Sequence, residues 1–377
     1  MSDTEAQPVR ISSEPVQLQA LEPMLEKVHV AVGDVPALLA IATEIGRTAP
    51  KPGEGNTAKL WELLASVTAV DVAAGRVLEP HLDAVAILAQ TGLDEPQHGA
   101  WGVFAAEGPG LKLEAKRDDA GNYVLNGSKP WCSLASQLDG AVITAHTEDN
   151  SRAAFAVNLK HPGVSCETPQ WTSRGLQEIP SGTVHFDQVP ATPVGGKDWY
   201  FKRPGFAWGG MGVAACWLGG AVAVARDYAT ALAKGEENGR EADQIALASL
   251  GEVDRIITSA TAYLAQTAER IDAGELAGPS PDGPGVDGPS PDGPSPDGPD
   301  TNNSSAWSEA LRIRGTVAAA VERVQTVVTQ NLGPAPLAFN EAYGKRMADL
   351  SLYIRQHHAM RDDAQLGALT LKGERQW

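Results

Sequence analysis

The chain has 377 residues, 42% of them apolar, enough for two or three domains with sizeable cores. Thirty basic residues against 47 acidic ones leave a formal charge of −17, which repels phosphate backbones and argues against nucleic acid as a partner. The three cysteines, Cys132, Cys166 and Cys216, form neither a disulfide framework nor a metal-ligand pattern, and the acidic, polar start MSDTEAQPVRISSEPVQLQ is unlike a signal peptide, so a cytoplasmic protein is expected.

Residues 1–17 read as a disordered tail, and 18–98 as an N-terminal helical domain. In LWELLASVTAVDVAAGRV apolar residues recur at three- and four-residue spacing, and Pro80 predicts a break before HLDAVAILAQ resumes. His81, just after that proline, reads as a hydrogen-bonded packing residue. The texture changes at Trp101, and residues 99–198 form a small β domain: LKLEAKRD, YVLNGSKPW, GAVITAHT, AAFAVNLK and GTVHFDQV are short β-rich runs separated by Gly, Pro, Asn and Asp. About five strands in that length predict a small barrel or sandwich.

Residues 199–377 return to long helical periods and predict a C-terminal bundle. The uncharged run 206–225 has membrane-spanning length, but it carries five glycines, ends at Arg226 and has no second span beside it, so it reads as a buried bundle helix. Within it GMGVAA matches a dinucleotide-binding spacing, yet RPGFAWG precedes it where that fingerprint needs a hydrophobic strand. The Pro/Gly/Asp repeat at 279–300, inside a loop spanning 278–304, cannot bury a core and is expected to be a solvated, disordered connection. RQHHAMRD, residues 355–362, reads as helix, with His358 paired to Asp362 four residues on and His357 on another face beside Arg361.

The order helices, β domain, four-helix segment resembles the acyl-CoA dehydrogenase family, and the motifs resemble it more specifically than the layout. YVLNGSKPWCSLASQLDGAVITA (123–145) is similar to that family's central β signature, AEGPG (106–110) to its TEPGAGS loop, QNLGP (330–334) to its Q-x-x-GG turn, and KRMADLSLYI (345–354) to the helix that runs into its active site. The resemblance covers roughly residues 60–367. It implies an α+β multidomain fold, noncovalent FAD, and a homodimer or homotetramer that works on an acyl-CoA thioester, with an electron-transfer flavoprotein as a possible electron acceptor. By the same resemblance Trp131 covers the isoalloxazine, the Ser133 hydroxyl reaches N5, Ala106 lies in the flavin-contacting loop, and Gln330 and Gly333 meet the adenylate half from a neighbouring subunit. Trp131 and Ser133, two apart on one strand, are expected to share a face, as a flat ring with one polar edge requires.

The sequence also departs from the family. Counting from Gly333 and Pro334, the family's catalytic glutamate position falls on His357; the alternative position, near Gly212 and Val213, holds no carboxylate. His357 is therefore the candidate base for α-proton abstraction, a role neutral imidazole can fill near pH 7. Ala106 stands where the family has a flavin-binding threonine, and 231–244 holds no counterpart of the diphosphate-gripping R-x-x-F segment. The expected activity is α,β-dehydrogenation of an acyl-CoA. A flavin monooxygenase or oxidase of the same fold, and a degenerate subunit that binds flavin or a partner without turnover, are the alternatives.

Overall fold

The computed structural model describes residues 7–12, 18–93, 99–148, 151–277, 306–374 and 377. The Pro/Gly/Asp repeat, most of the N-terminal tail and His98 lie outside the described residues.

Four helices open the chain: α1 (Glu22–Val30), α2 (Val35–Gly46), α3 (Thr57–Val70) and α4 (Val72–Gln90). The helical period around residues 60–77 is interrupted where the sequence does not announce it. Asp71 leaves the helical region (φ −152°, ψ 131°) and its side chain accepts the Ala74 N–H, so one apolar run becomes two helices. Pro80, expected to break the helix, lies inside α4. Residues 7–12, assigned to a disordered tail, instead form a pinned strap. Val9 and Ile11 are buried, the amides of Ile11 and Ser12 donate to Glu62 Oε1 at 3.0 and 2.8 Å, and Arg226 donates to the carbonyls of Gln7 and Pro8. Glu62 is itself buried, and a buried carboxylate requires such donors.

Seven strands come next: β1 (Trp101–Phe104), β2 (Leu113–Arg117), β3 (Tyr123–Ser133), β4 (Gly140–His146), β5 (Arg152–Asn158), β6 (Val164–Cys166) and β7 (Ser181–Val194). The pairings β4–β2, β2–β3, β3–β7, β7–β5 and β5–β4 close a ring, with β1 parallel to β4 and β6 on the edge of β7. The expected small barrel is present, with more strands than the pattern indicated. Ala84, Ile87 and Leu88 of α4 pack with Val142, Ala154 and Val194 of the barrel, so α4 lies between the β domain and the C-terminal helices.

The chain then forms α5 (Trp199–Lys202), α6 (Pro204–Glu237), α7 (Gln244–Asp272), α8 (Ala306–Leu332), α9 (Pro334–Phe339), α10 (Glu341–Tyr353) and α11 (Met360–Leu371). Helix α6 packs on α3, α7, α8 and α10, making it the axis of the bundle. Among the described residues it alone is long and apolar enough to cross a membrane, and 78% of that apolar window is buried inside the protein. The GMGVAA glycines lie within this helix with no preceding strand, and one further along, Gly219, shows what such residues do: a Cβ there would meet the Ala65 carbonyl of α3 at 2.1 Å.

The three domains meet at one ammonium. Lys345 Nζ of α10 lies 2.8 Å from Asp71 at the start of α4, 2.8 Å from Glu178 of the β domain and 2.6 Å from Asp349 of its own helix, whose other oxygen accepts the Leu176 N–H. The three carboxylates have metal-ligand proximity, but the lysine occupies their centre. Burial opposes charge on Lys345, and Asp71 and Asp349 outweigh it, so its pKa is raised. Replacing Lys345 with Met would leave three crowded carboxylates uncompensated; a destabilisation of about 3 kcal/mol is expected, read as a lower urea midpoint.

Candidate functional site

The motifs AEGPG and NGSKPW, far apart in sequence, are joined by a buried ion pair. Lys129 Nζ, 1% exposed, donates to Glu107 Oε1 at 2.6 Å and to Thr144 Oγ1 at 3.0 Å, and Arg152 reaches the same Glu107 oxygen at 2.9 Å. Burial lowers the Lys129 pKa to about 8 against the pull of Glu107. Burial works to raise the Glu107 carboxyl, but Lys129 and Arg152 offset it and hold the group below its ordinary range. The pair ties the loop holding exposed Ala106 across β3 and β4.

The register of β3 against β7 slips between Lys129 and Cys132, and Trp131 sits in this irregularity with φ +60°, a region L-residues seldom adopt. Its indole is 63% exposed, whereas Cys132 points into the core. Ser133 is half-buried, shares a 2.7 Å hydrogen bond with Ser181 Oγ, and accepts one from Arg76 of α4 at 3.4 Å. Both Trp131 and Ser133 thus lie outside the barrel core, with buried Cys132 between them.

Beyond Ser133 lies a cluster of largely water-shielded polar groups that the sequence did not single out. Arg76, Glu79 and Asp83 project from α4; Arg76 NH1 is 3.9 Å from Glu79 Oε2, and Arg203 NH2 is 3.9 Å from Asp83. Arg314 of α8 stacks over Trp217 of α6 at 4.7 Å and donates to the carbonyls of Gly210 and Gln356. Trp217 meets the ring of Tyr353 edge-on. The buried Tyr353 hydroxyl makes no hydrogen bond to nitrogen or oxygen among the described residues, and its polar neighbours are Cys216, Glu79 and Arg76. Three α4 residues at three- and four-residue spacing were the available signal.

RQHHAMRD is not one helix. A 3-10 turn ends at Gln356, His357 is extended (φ −83°, ψ 122°), and Ala359 has φ +50° before α11 begins at Met360. The break lets both histidines reach Asp362: His358 Nδ1 at 3.3 Å, as spacing predicted, and His357 Nε2 at 3.7 Å. The His357 side chain is only 9% exposed, its Nε2 makes no hydrogen bond among the described residues, and a Cβ on Gly315 of α8 would lie 3.5 Å from that atom. Burial lowers its pKa, with Asp362 opposing and Arg314 reinforcing, so the imidazole is neutral at pH 7. His357 therefore borders the cluster through Arg314.

Gln330 and Gly333 are not brought to this place within one chain. They lie at the far end of α8, with Gln330 exposed and sixteen residues beyond Arg314, about 24 Å along the helix axis. Gly333 has φ +69°, and Pro334 is the first residue of α9. His81 is a buried packing residue: it accepts the Trp101 N–H on Nδ1 at 3.2 Å, and burial holds its pKa down to about 4.

Residues 92–189 match the middle domain of acyl-CoA dehydrogenases. No curated protein matches the chain in sequence. Among solved structures, FMN-bound TdsC from Paenibacillus sp. A11-2 superposes with a TM-score of 0.72 at 16% identity, covering 93% of this chain and 96% of that one. KijD3 in complex with FMN and a dTDP-linked amino-keto sugar gives 0.74 at 16% identity, covering 99% and 98%. Butyryl-CoA dehydrogenase from Megasphaera elsdenii gives 0.66 at 15%, covering 92% and 98%. The chain is a divergent protein of the acyl-CoA dehydrogenase fold. In this acyl-CoA dehydrogenase-like chain, the helix resembling the family's active-site helix is α10, and it delivers Tyr353 and His357 to the buried cluster.

Chemically the cluster centres on Glu79. Burial raises its carboxyl to about 7, with Arg76 and Arg314 opposing and Asp83 reinforcing. Burial also raises Asp83 and lifts the Cys216 thiol to about 12, which leaves that thiol protonated. Glu79 is thus the group here poised to take or give a proton near neutrality, and its side chain is 12% exposed. The folded state holds a proton on Glu79 that the unfolded chain gives up near pH 4.5, so this stabilisation is complete below that value and lost as pH rises through about 7. Glu79→Gln should remove about 3 kcal/mol of that decline between pH 4 and pH 8, a difference that urea melts of parent and variant at both pH values would measure.

Proposed function

We propose that the chain is a flavin-dependent oxidoreductase acting on a polar small molecule, as an oxidase or monooxygenase rather than an acyl-CoA dehydrogenase. The observation that carries this reading is the cluster of Arg76, Glu79, Asp83, Arg314 and Tyr353 beyond Ser133. An acyl chain requires an apolar slot, whereas these groups require polar partners.

The residues present fit a flavin ring. The exposed Trp131 indole offers a flat apolar face, while the Ser133 hydroxyl supplies a donor for a polar edge. Such a ring accepts hydride and, once reduced, reacts with oxygen. Glu79 holds or receives the proton of the reacting group, and Arg314 and Arg76 moderate its charge. His357 is a second neutral acceptor at the rim. The flavin is FAD where a second copy of the chain brings Gln330 and Gly333 to the adenylate; FMN needs no such contact. TdsC and KijD3, both solved with FMN, support testing the shorter cofactor alongside FAD.

The purified protein, loaded with FMN or FAD, should show a flavin spectrum, and Trp131→Ala should weaken flavin binding about tenfold. Under anaerobic conditions a panel of acyl-CoA thioesters should leave the flavin oxidised, and a flavin reductase with oxygen should then support turnover of a polar substrate. Bleaching by a thioester, lost in His357→Ala, would instead establish the dehydrogenase with His357 as base. A protein that takes up neither flavin would refute both readings.

A further inference from the structure

The arginines of this region differ in how far their terminal nitrogens are matched to acceptors. Arg314 gives both terminal nitrogens to backbone carbonyls, Arg203 bonds Gln90 and faces Asp83, and Arg152 serves Glu107, Thr144 and the Ala105 carbonyl. Arg76, only 17% exposed, makes one hydrogen bond among the described residues, a long one of 3.4 Å to the Ser133 hydroxyl. Glu79 stands 3.9 Å away, close enough for attraction but not for a hydrogen bond. A guanidinium has five donors in a planar fork, and no Arg76 nitrogen is among the buried atoms without a partner, so its unmatched donors reach solvent and are open to a ligand.

We propose that Arg76 anchors a carboxylate group of the substrate beside Ser133, and that ionisation of Glu79 releases it. The fork matches the two oxygens of a carboxylate. A phosphate dianion suits the place less well, because Glu79 stands beside Arg76 and Asp83 stands beside Glu79, so a second negative charge would meet more repulsion than a carboxylate does. The proposal rests on the reading above in taking the space beside Ser133 as the substrate chamber. Glu79 faces Arg76 and Asp83 on α4, Cys216 on α6, Arg314 on α8, Tyr353 on α10 and Tyr200 on α5. While protonated, it leaves Arg76 free for the ligand; once ionised, it competes for the same guanidinium and repels the incoming anion. With burial holding the Glu79 carboxyl at about 7, carboxylate affinity falls as pH rises through neutrality.

The test is a calorimetric titration of the full-length protein with acetate, isobutyrate and benzoate, each against its uncharged amide, with flavin content read from the visible spectrum of the same samples. At least one carboxylate should bind at pH 6 at least tenfold more tightly than its amide, and about tenfold less tightly at pH 8 than at pH 6. Arg76→Gln should abolish the preference for the anion, and Glu79→Gln should keep the preference and lose the pH slope. Equal affinity for acid and amide, or a preference that survives in Arg76→Gln, overturns the proposal. Should Arg76→Gln fail to fold, Arg76→Lys keeps the charge without the fork and should bind severalfold more weakly; unchanged affinity there overturns the proposal as well. Flavin bound without any carboxylate preference refutes this inference alone, and carboxylate bound by a protein that never takes up flavin refutes the flavin reading alone. An Arg76→Gln protein that loses flavin yet keeps the anion preference assigns Arg76 to the cofactor and likewise overturns the proposal.

Discussion

The arrangement of the three domains depends on the Lys345 ammonium and the three carboxylates around it. Asp71 starts α4, Glu178 belongs to the β domain, and Asp349 shares α10 with the lysine. None of these acids has another cation among its described ion pairs, so the lysine fixes the position of α10 relative to both other domains. The consequence reaches the site because α10 ends in Tyr353 and leads to His357, and α4 carries Arg76 and Glu79 one and two turns beyond Asp71. The charged junction therefore ties α4, which carries Arg76 and Glu79, to α10, which carries Tyr353.

A second buried pair performs the same service inside the barrel. Lys129 and Glu107 hold the AEGPG loop against β3, just where the strand register slips and Trp131 takes a positive φ. The irregularity leaves an indole exposed that a regular strand position in a barrel of this size would be free to cover. Conformational cost and exposed apolar area at one residue are both explained if a flat ligand packs there.

The sequence made the layout readable because periodicity and turn composition are local properties. The change from helical to β texture at Trp101, the return to helix after the RPGF loop, and the burial of 206–225 all arise from short-range patterns that the fold keeps. Boundaries that depend on a single side chain were not readable. Asp71 splits a continuous apolar run because its carboxylate caps α4, Pro80 is absorbed within α4, and the 7–12 strap is ordered by Glu62, a partner some fifty residues away. RQHHAMRD has helical composition, yet the chain turns at Ala359 and brings both histidines to Asp362.

What the sequence determined by itself is the order of the domains and the barrel motifs, because these rest on spacing and residue type along the chain; the candidacy of Trp131, Ser133 and His357 came with the resemblance of the motifs around them. Only the tertiary structure decided that Arg76, Glu79, Arg314 and Tyr353 form one cluster and that Gln330 of the same chain lies far from it. The physical reason is that a charge's role is set by how far water is excluded from it and by which groups approach it in space. Glu79 in the sequence is one acid before a proline; folded, it is a carboxyl that burial raises to about 7 against the pull of Arg76 and Arg314.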